Sequence, residues 1–294
     1  MTKILLLGKS GQVGWELQKI LPLLGELVAV GSAELDLTDF NAVRRLVREL
    51  KPEIIVNAAA YTAVDRAEEE AERAMAINAT APGVLAEEAA RIGAWVAHYS
   101  TDYIFDGKKG SPYLEEDSPN PLTVYGQSKL AGEKAIRETG AAHLIFRTSW
   151  VYGLRGKNFL LSILRLAREK EELGIVDDQI GTPNWCRTLA EATACAIECI
   201  NCNPAIKSGL SGIYHLSAAG KTNWYEFAGR ILAADPLKQE QLCRKLNPIK
   251  TDSYPAAARR PLYSVLDNRK FQAAFGFLFK QWDCYLRDLF GEGA

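Results

Sequence analysis

The stretch "TVYGQSKLAGEKA" sets Tyr125 and Lys129 four residues apart, and the preceding "HYSTDYIFDG" contains Thr101 and Asp102. A phenol, an ammonium and a hydroxyl suit one kind of chemistry, protonation of a ketone oxygen as hydride arrives at carbon. A free phenol titrates near about 10, too high for easy donation at neutral pH. An ammonium about 6 Å away, at an effective dielectric near 20, favours phenolate by about 3 kcal/mol, roughly two pKa units. Lys129 is therefore expected to tune Tyr125, while Thr101 orients the carbonyl. Chance also produces Tyr-x-x-x-Lys pairs, on solvated helix faces, so the pair needs a context.

That context must bring a strand end and a helix together. "KILLLG", "ELVAV", "EIIVNAA", "AWVAHYST" and "HLIFRTSW" read as strands, with helical segments between them. In "DFNAVRRLVREL", Phe40, Val43, Leu46, Val47 and Leu50 recur at helix spacing, and "RAEEEAERAMAIN" reads as a helix whose Glu68 to Glu70 run is a solvated face. The alternation predicts an α/β fold, a Rossmann-type doubly wound parallel sheet with a smaller C-terminal α/β substrate domain. The expected division is 1–150 plus about 172–203 for dinucleotide binding, and 151–171 with 204–294 for substrate.

Directly after the first strand, "GKSGQVGWEL" places Gly8, Gly11 and Gly14 in G-x-x-G-x-x-G. Gly8 permits the tight turn, Gly11 lets backbone approach a pyrophosphate at a helix N-terminus, and Gly14 allows close helix–sheet packing. The second strand ends "AVGSAELD", with Gly31 or Ser32 where an acidic residue normally grips the adenosine ribose. With neither carboxylate nor arginine there, NADPH and NADH both remain open. Asp36 is placed for the adenine end, with a helix N-cap as the competing role. Ala58, Ala59 and Ala60 would leave room for a cofactor over the strand ends.

Composition narrows the alternatives. The 294 residues are 48% hydrophobic and carry a net charge of −1, enough apolar residues for a full core and no basic surface for nucleic acid or anionic membrane. The apolar run in "MTKILLLG" is too short for a signal peptide or spanning helix, which points to the cytoplasm and to reduced cysteines. Cys195, Cys199 and Cys202 form C-x-x-x-C-x-x-C, but Leu189, Ala192, Ala196 and Ile200 recur at helical spacing around them, so they read as small apolar helix residues and not as cluster ligands. His98, His143 and His215 lie in or beside strands, without metal-ligand spacing, and read as structural.

Together, "GKSGQVGWEL", "VNAAAYTAVDRAE", "HYSTDYIFDG", "VYGQSKLAGE", "FRTSWVYG", "DDQIGTP" and "ARRPLYSVLD" resemble the dTDP-4-dehydrorhamnose reductase family of extended short-chain dehydrogenases. The resemblance spans nearly the whole chain. It implies NAD(P)H-dependent reduction of the C4 ketone of dTDP-4-dehydro-β-L-rhamnose, for cell-surface polysaccharide. Thr101, Tyr125 and Lys129 become the catalytic trio; Gly11, Gln12 and Val13 the pyrophosphate turn; Asp36 and Leu37 the adenine side; Ala60, Tyr61 and Thr62, beside Ala59, the nicotinamide side. Trp150 becomes a sugar-stacking contact, with closure of the sheet edge as its alternative; Thr101 and Asp102 are also expected at the substrate.

Some members bind Mg²⁺ with glutamates at a homodimer interface. Glu16 matches one position, but Arg187 stands where another carboxylate is expected, leaving that metal and that dimer mode open. Nucleotide-sugar epimerases and dehydratases share the glycine turn and the Tyr/Lys pair, but dehydratases usually follow the threonine with Asp-Glu, whereas here Asp102-Tyr103 follows. A regulatory subunit resembling the methionine adenosyltransferase beta subunit is the non-catalytic alternative.

Overall fold

A computed structural model describes residues 1–202 and 207–291. Its centre is a six-stranded, fully parallel sheet. Strands β1 (Lys3–Leu7), β2 (Glu26–Val30), β3 (Ile54–Asn57), β4 (Trp95–Thr101) and β5 (His143–Thr148) are joined by Gly212–His215, in the order Gly212–His215, β5, β4, β3, β1, β2. The chain changes winding direction at β1, which opens a crevice beyond the carboxyl ends of β1 and β3. Register brings Leu7 opposite Asn57 and Thr101 opposite Thr148, so the glycine turn and the catalytic candidates leave the same sheet edge.

Both faces are covered, which is why the strands read as continuous apolar runs. Side chains alternate across the pleat. Ile4 and Leu6 face α1 (Gln12–Ile20), the helix Cys186–Cys202 and the helix Arg269–Phe275. Leu5 and Leu7 face α2 (Phe40–Leu50) and the helix Ala81–Ile92, where Val43, Val47, Val84 and Leu85 are buried. A second apolar cluster, including Tyr152, Leu160, Ile163, Phe227, Ile231 and Leu286, forms beside the sheet.

Several expectations need correction. The strand Glu172–Val176, assigned to the dinucleotide-binding part, pairs in parallel with Lys245–Ile249 outside the central sheet. The sheet's sixth strand comes instead from Gly212–His215. The expected boundary at 203/204 lies outside the described residues. The single helix expected over "RAEEEAERAMAIN" is two short ones, Val64–Ala67 and Ala71–Met75, followed by a wide turn at Ala76–Thr80. Glu68 to Glu70 therefore fall at a break between helices, and Glu68 Oε1 accepts from the Val124 amide at 3.0 Å. Within the wide turn, the wholly buried Asn78 side chain holds the Tyr61 backbone from both sides and the Ser128 hydroxyl. Among the described residues, no helix is long and apolar enough to cross a membrane.

Candidate active site

The glycine turn has the geometry a phosphate cradle needs. Gly8 adopts φ +84°, and a Cβ there would lie 2.6 Å from the Ala59 nitrogen, so both conformation and space demand glycine. Gly14 packs against the Gly8 carbonyl, where a Cβ would sit at 2.1 Å. Helix α1 begins after Gly11 with no side chain capping it, which leaves its first amides facing outward for an anion. These features fit a dinucleotide pyrophosphate.

Beyond the turn runs one cleft of about 860 Å³. Gly8, Gly11, Gln12 and Val13 form one wall, and Asp36 and Leu37 the adenine end. Ala59, Ala60 and Thr62 line the floor beyond β3, and Thr101, Asp102, Tyr125, Lys129 and Trp150 line the far end. Two expected contacts lie behind this surface: Gly14 is on the buried face of α1 against Gly8, and Tyr61 packs with Val64, Ala67 and Ala74 in the cluster behind Tyr125.

Tyr125 opens the second turn-bearing element of the site, the helix Val124–Glu138, whose N-terminus is capped by Thr123 Oγ1 accepting from the Gly126 amide at 3.0 Å. Gly126 presses on the turn after Thr101: a Cβ would meet the Tyr103 carbonyl oxygen at 2.2 Å. That close approach brings the Tyr125 hydroxyl into hydrogen-bonding reach of Thr101. Thr101 Oγ1 in turn donates to Asp102 Oδ1 at 3.2 Å. Asp102 is buried with Oδ2 unpartnered, and burial pushes its carboxyl up to about 6.

Burial dominates the electrostatics of both Tyr125 and Lys129. Burial pushes Tyr125 up to about 12, partly offset by Thr101 and reinforced by the Asp102 charge. Lys129 Nζ is turned to the Tyr99 carbonyl at 2.5 Å and to His98 Nε2 at 3.1 Å, and burial brings its amine down to about 7. His98, read from sequence as structural, thus touches the lysine. Its Nδ1 lies 3.1 Å from Asn57 Nδ2, and Asn57 Oδ1 accepts from the Ala59 amide at 3.2 Å. The histidine ties the lysine to the cleft floor, a role only its position opposite Asn57 in the sheet reveals.

Trp150 adopts φ +44°, the left-handed region that costs a non-glycine residue about 1–2 kcal/mol. Its ring stacks on Trp224 with centroids 3.5 Å apart and planes 10° from parallel, so the expected aromatic platform is a pair. Strain held at a cleft wall is the pattern of a ligand clamp.

At the adenine end, Asp36 Oδ1 accepts from the Thr38 amide and hydroxyl, each at 2.8 Å, which holds its carboxyl below the usual range. The helix-capping role considered for Asp36 belongs to Asp39, which accepts from the Ala42 amide at 2.9 Å. Arg73, Ser10 and Lys157 also line the cleft and were not identified from sequence. Arg73 arrives through the broken helix, and Lys157 through the loop after Tyr152; a basic residue among the glycines of "GLRGKN" was the available signal for the latter. The carboxylate missing from the end of β2 is supplied by Glu34, whose Oε2 accepts from the Gly31 amide at 2.8 Å.

Glu16 pairs with Lys19 at 2.9 Å and Arg187 with Glu191 at 3.1 Å. Among the described residues, no group of three or more His, Cys, Asp or Glu is gathered to hold a metal ion. The three cysteines of the C-x-x-x-C-x-x-C spacing are free thiols on the helix Cys186–Cys202, with Cys195 and Cys199 packed against the core.

Residues 1–293 match the family described as the RmlD substrate binding domain. The dTDP-4-dehydrorhamnose reductase of Burkholderia thailandensis is 47% identical over 283 residues, 95% of each chain. The protein of the same name from Escherichia coli K12 is 47% identical over 298 residues, 98% of this chain and 97% of its own. The crystal structure of dTDP-4-dehydrorhamnose reductase from Bacillus anthracis in complex with NADP is similar with a TM-score of 0.90 and 34% identity, covering 99% of this chain and 100% of that one. With the match running from the glycine turn through the aromatic pair to the last helix, the chain belongs to the RmlD family.

Proposed function

We propose that the protein reduces the C4 ketone of dTDP-4-dehydro-β-L-rhamnose to dTDP-L-rhamnose with NADPH or NADH, a step supplying rhamnose for cell-surface polysaccharide. The observation that carries this reading is the single cleft in which an uncapped helix N-terminus at one end and Thr101, Tyr125 and Lys129 at the other share one sheet edge. Family membership supplies the substrate.

When bound, the reduced nicotinamide supplies the hydride. Gly11, Gln12 and Val13 would hold the pyrophosphate, Asp36 and Leu37 the adenine side, and Ala60 and Thr62 the nicotinamide side. Thr101 would hydrogen-bond the ketone and orient it. Tyr125, held as a neutral phenol by burial, would donate its proton to the oxygen as the C–H bond forms. Alkoxide is a stronger base than phenolate, so that transfer runs downhill even from a raised pKa. Lys129 would leave the Tyr99 carbonyl for the ribose hydroxyls, where its charge stabilises the phenolate left behind. The reaction consumes one ketone, one reduced nicotinamide and one proton, and yields one alcohol and one oxidised nicotinamide.

The part built around Tyr152, Phe227 and Trp282 would form the substrate-binding domain, with Trp150 and Trp224 as the platform for the nucleotide sugar. The free cysteines support a reducing compartment, the cytoplasm. The test is to follow NADPH and NADH oxidation by purified protein with enzymatically generated dTDP-4-dehydro-β-L-rhamnose. Sugar-dependent oxidation is expected; none, under conditions where an established reductase turns over, would refute the reading.

A further inference from the structure

Open α/β dinucleotide sites usually choose between NADH and NADPH with one residue after the second strand, a carboxylate for a ribose 2′-hydroxyl or an arginine for a 2′-phosphate. Here that position is Gly31, and the space beside it is taken by two side chains from elsewhere. Lys9, from the glycine turn, lies across Gly31: a Cβ at position 31 would come 3.4 Å from Lys9 Cγ and 3.4 Å from Glu34 Oε2. Glu34 folds back so that Oε2 accepts from the Gly31 amide at 2.8 Å while Oε1 accepts from Lys9 Nζ at 2.7 Å. The turn carrying Lys9 is fixed by Gln18 Nε2, which donates to the Lys9 carbonyl at 2.7 Å. Ser10, Gly31 and Ser32 line the adjoining cleft wall.

We infer that Lys9 and Glu34 form an exchangeable pair that sets this protein's choice between NADPH and NADH. The inference rests on the reading above that the cleft holds a nicotinamide dinucleotide. Lys9 and Glu34 are 32% and 47% exposed, so their ion pair is weak and easily parted. A 2′-phosphate, carrying up to about two negative charges, is the stronger partner for the ammonium and takes Lys9 from Glu34. The displaced carboxylate then repels the phosphate it borders. A 2′-hydroxyl makes no such demand: Lys9 stays on Glu34, and the carboxylate's remaining lone pairs can accept from the hydroxyl. The pair thus admits both cofactors, with Lys9 favouring NADPH and Glu34 opposing it. A fixed carboxylate on residue 31 would exclude NADPH, and with a Cβ there Lys9 would have to shift.

The test measures binding without the sugar, by calorimetric titration of the full chain with NADPH, NADH and the adenosine fragments 2′,5′-ADP and 5′-ADP. Lys9→Gln is expected to weaken NADPH and 2′,5′-ADP by about tenfold or more while leaving NADH and 5′-ADP within about twofold. Glu34→Gln is expected to tighten NADPH several-fold without tightening NADH. Arg73, the other cation lining this end, serves as control, and Arg73→Gln should leave the NADPH to NADH ratio in place. Equal losses of both cofactors in Lys9→Gln, or a preference abolished by Arg73→Gln and untouched by Lys9→Gln, would overturn the inference. Failure of the unaltered protein to bind any dinucleotide would overturn the functional reading first and this inference with it.

Discussion

Glu133 lies one turn beyond Lys129 on the same helix and ties that helix to the sheet. Its Oε2 accepts from Arg147 Nη2 at 2.7 Å, and its Oε1 accepts from Arg147 Nε at 2.9 Å and from Ser100 Oγ at 2.5 Å. Glu133 and Arg147 are each 2% exposed, so water cannot replace a lost partner. Glu133→Gln keeps the shape but strands the Arg147 cation in the interior. Breaking such a pair costs about 3–5 kcal/mol, which should lower the melting temperature by on the order of 10 °C. Glu133→Gln with Arg147→Met removes both charges and should recover most of the loss. The same carboxylate is what favours the protonated form of Lys129, so any folded Glu133→Gln should also turn over more slowly at neutral pH. Thermal and urea denaturation, read by circular dichroism, check the stabilities. A single-variant loss below about 1 kcal/mol, or a double variant no better than the single, would refute the reasoning.

Tyr125→Phe should bind NADPH normally and lose about 10²–10⁴-fold in kcat, since only the proton donor is removed; titration and steady-state kinetics separate the two, and near-normal turnover would contradict the assigned role. Burial brings Lys129 from 10.5 to about 7. The unfolded chain then binds the extra proton between those values, so unfolding free energy rises with pH across that window and the burial cost is present in full below it. Lys129→Met lacks this term, so the urea midpoint of the unaltered protein should rise relative to that of the variant as pH rises through this window; parallel curves would contradict the buried amine. Gly181→Ala places a Cβ 2.6 Å from Trp150 Cε2 and must displace that ring. The expected result is a raised KM for the nucleotide sugar with unchanged NADPH affinity, and a stability loss of about 1–3 kcal/mol.

Local signals carried much of this architecture. The five apolar runs are strands because both sheet faces are covered, and the glycine turn lies where a first strand meets a first helix. The Tyr125 and Lys129 spacing falls on a helix, as periodicity requires. What stayed hidden depends on distant partners. A short apolar strand does not announce its neighbour, so neither the pairing of Glu172–Val176 with Lys245–Ile249 nor the place of Gly212–His215 in the central sheet is legible locally. In the wide turn before Ala81–Ile92, Asn78 reaches Tyr61 and Ser128, contacts that helical periodicity cannot express. His98 looked inert because its partners, Asn57 and Lys129, come from a neighbouring strand and a later helix. Glu34 is not legible from its place in the sequence, because the chain folds its carboxylate back onto the Gly31 amide from further along.

The central claim is hydride delivery to a sugar C4 ketone with Tyr125 supplying the proton. NADPH carrying deuterium at its transferable position, incubated with the protein and dTDP-4-dehydro-β-L-rhamnose, tests it in one product analysis by mass spectrometry and NMR. The expected product is dTDP-L-rhamnose with one deuterium, bonded to C4, and almost none of it from Tyr125→Phe. A product without deuterium, deuterium at another carbon, or full labelling at an unchanged rate in Tyr125→Phe would contradict it.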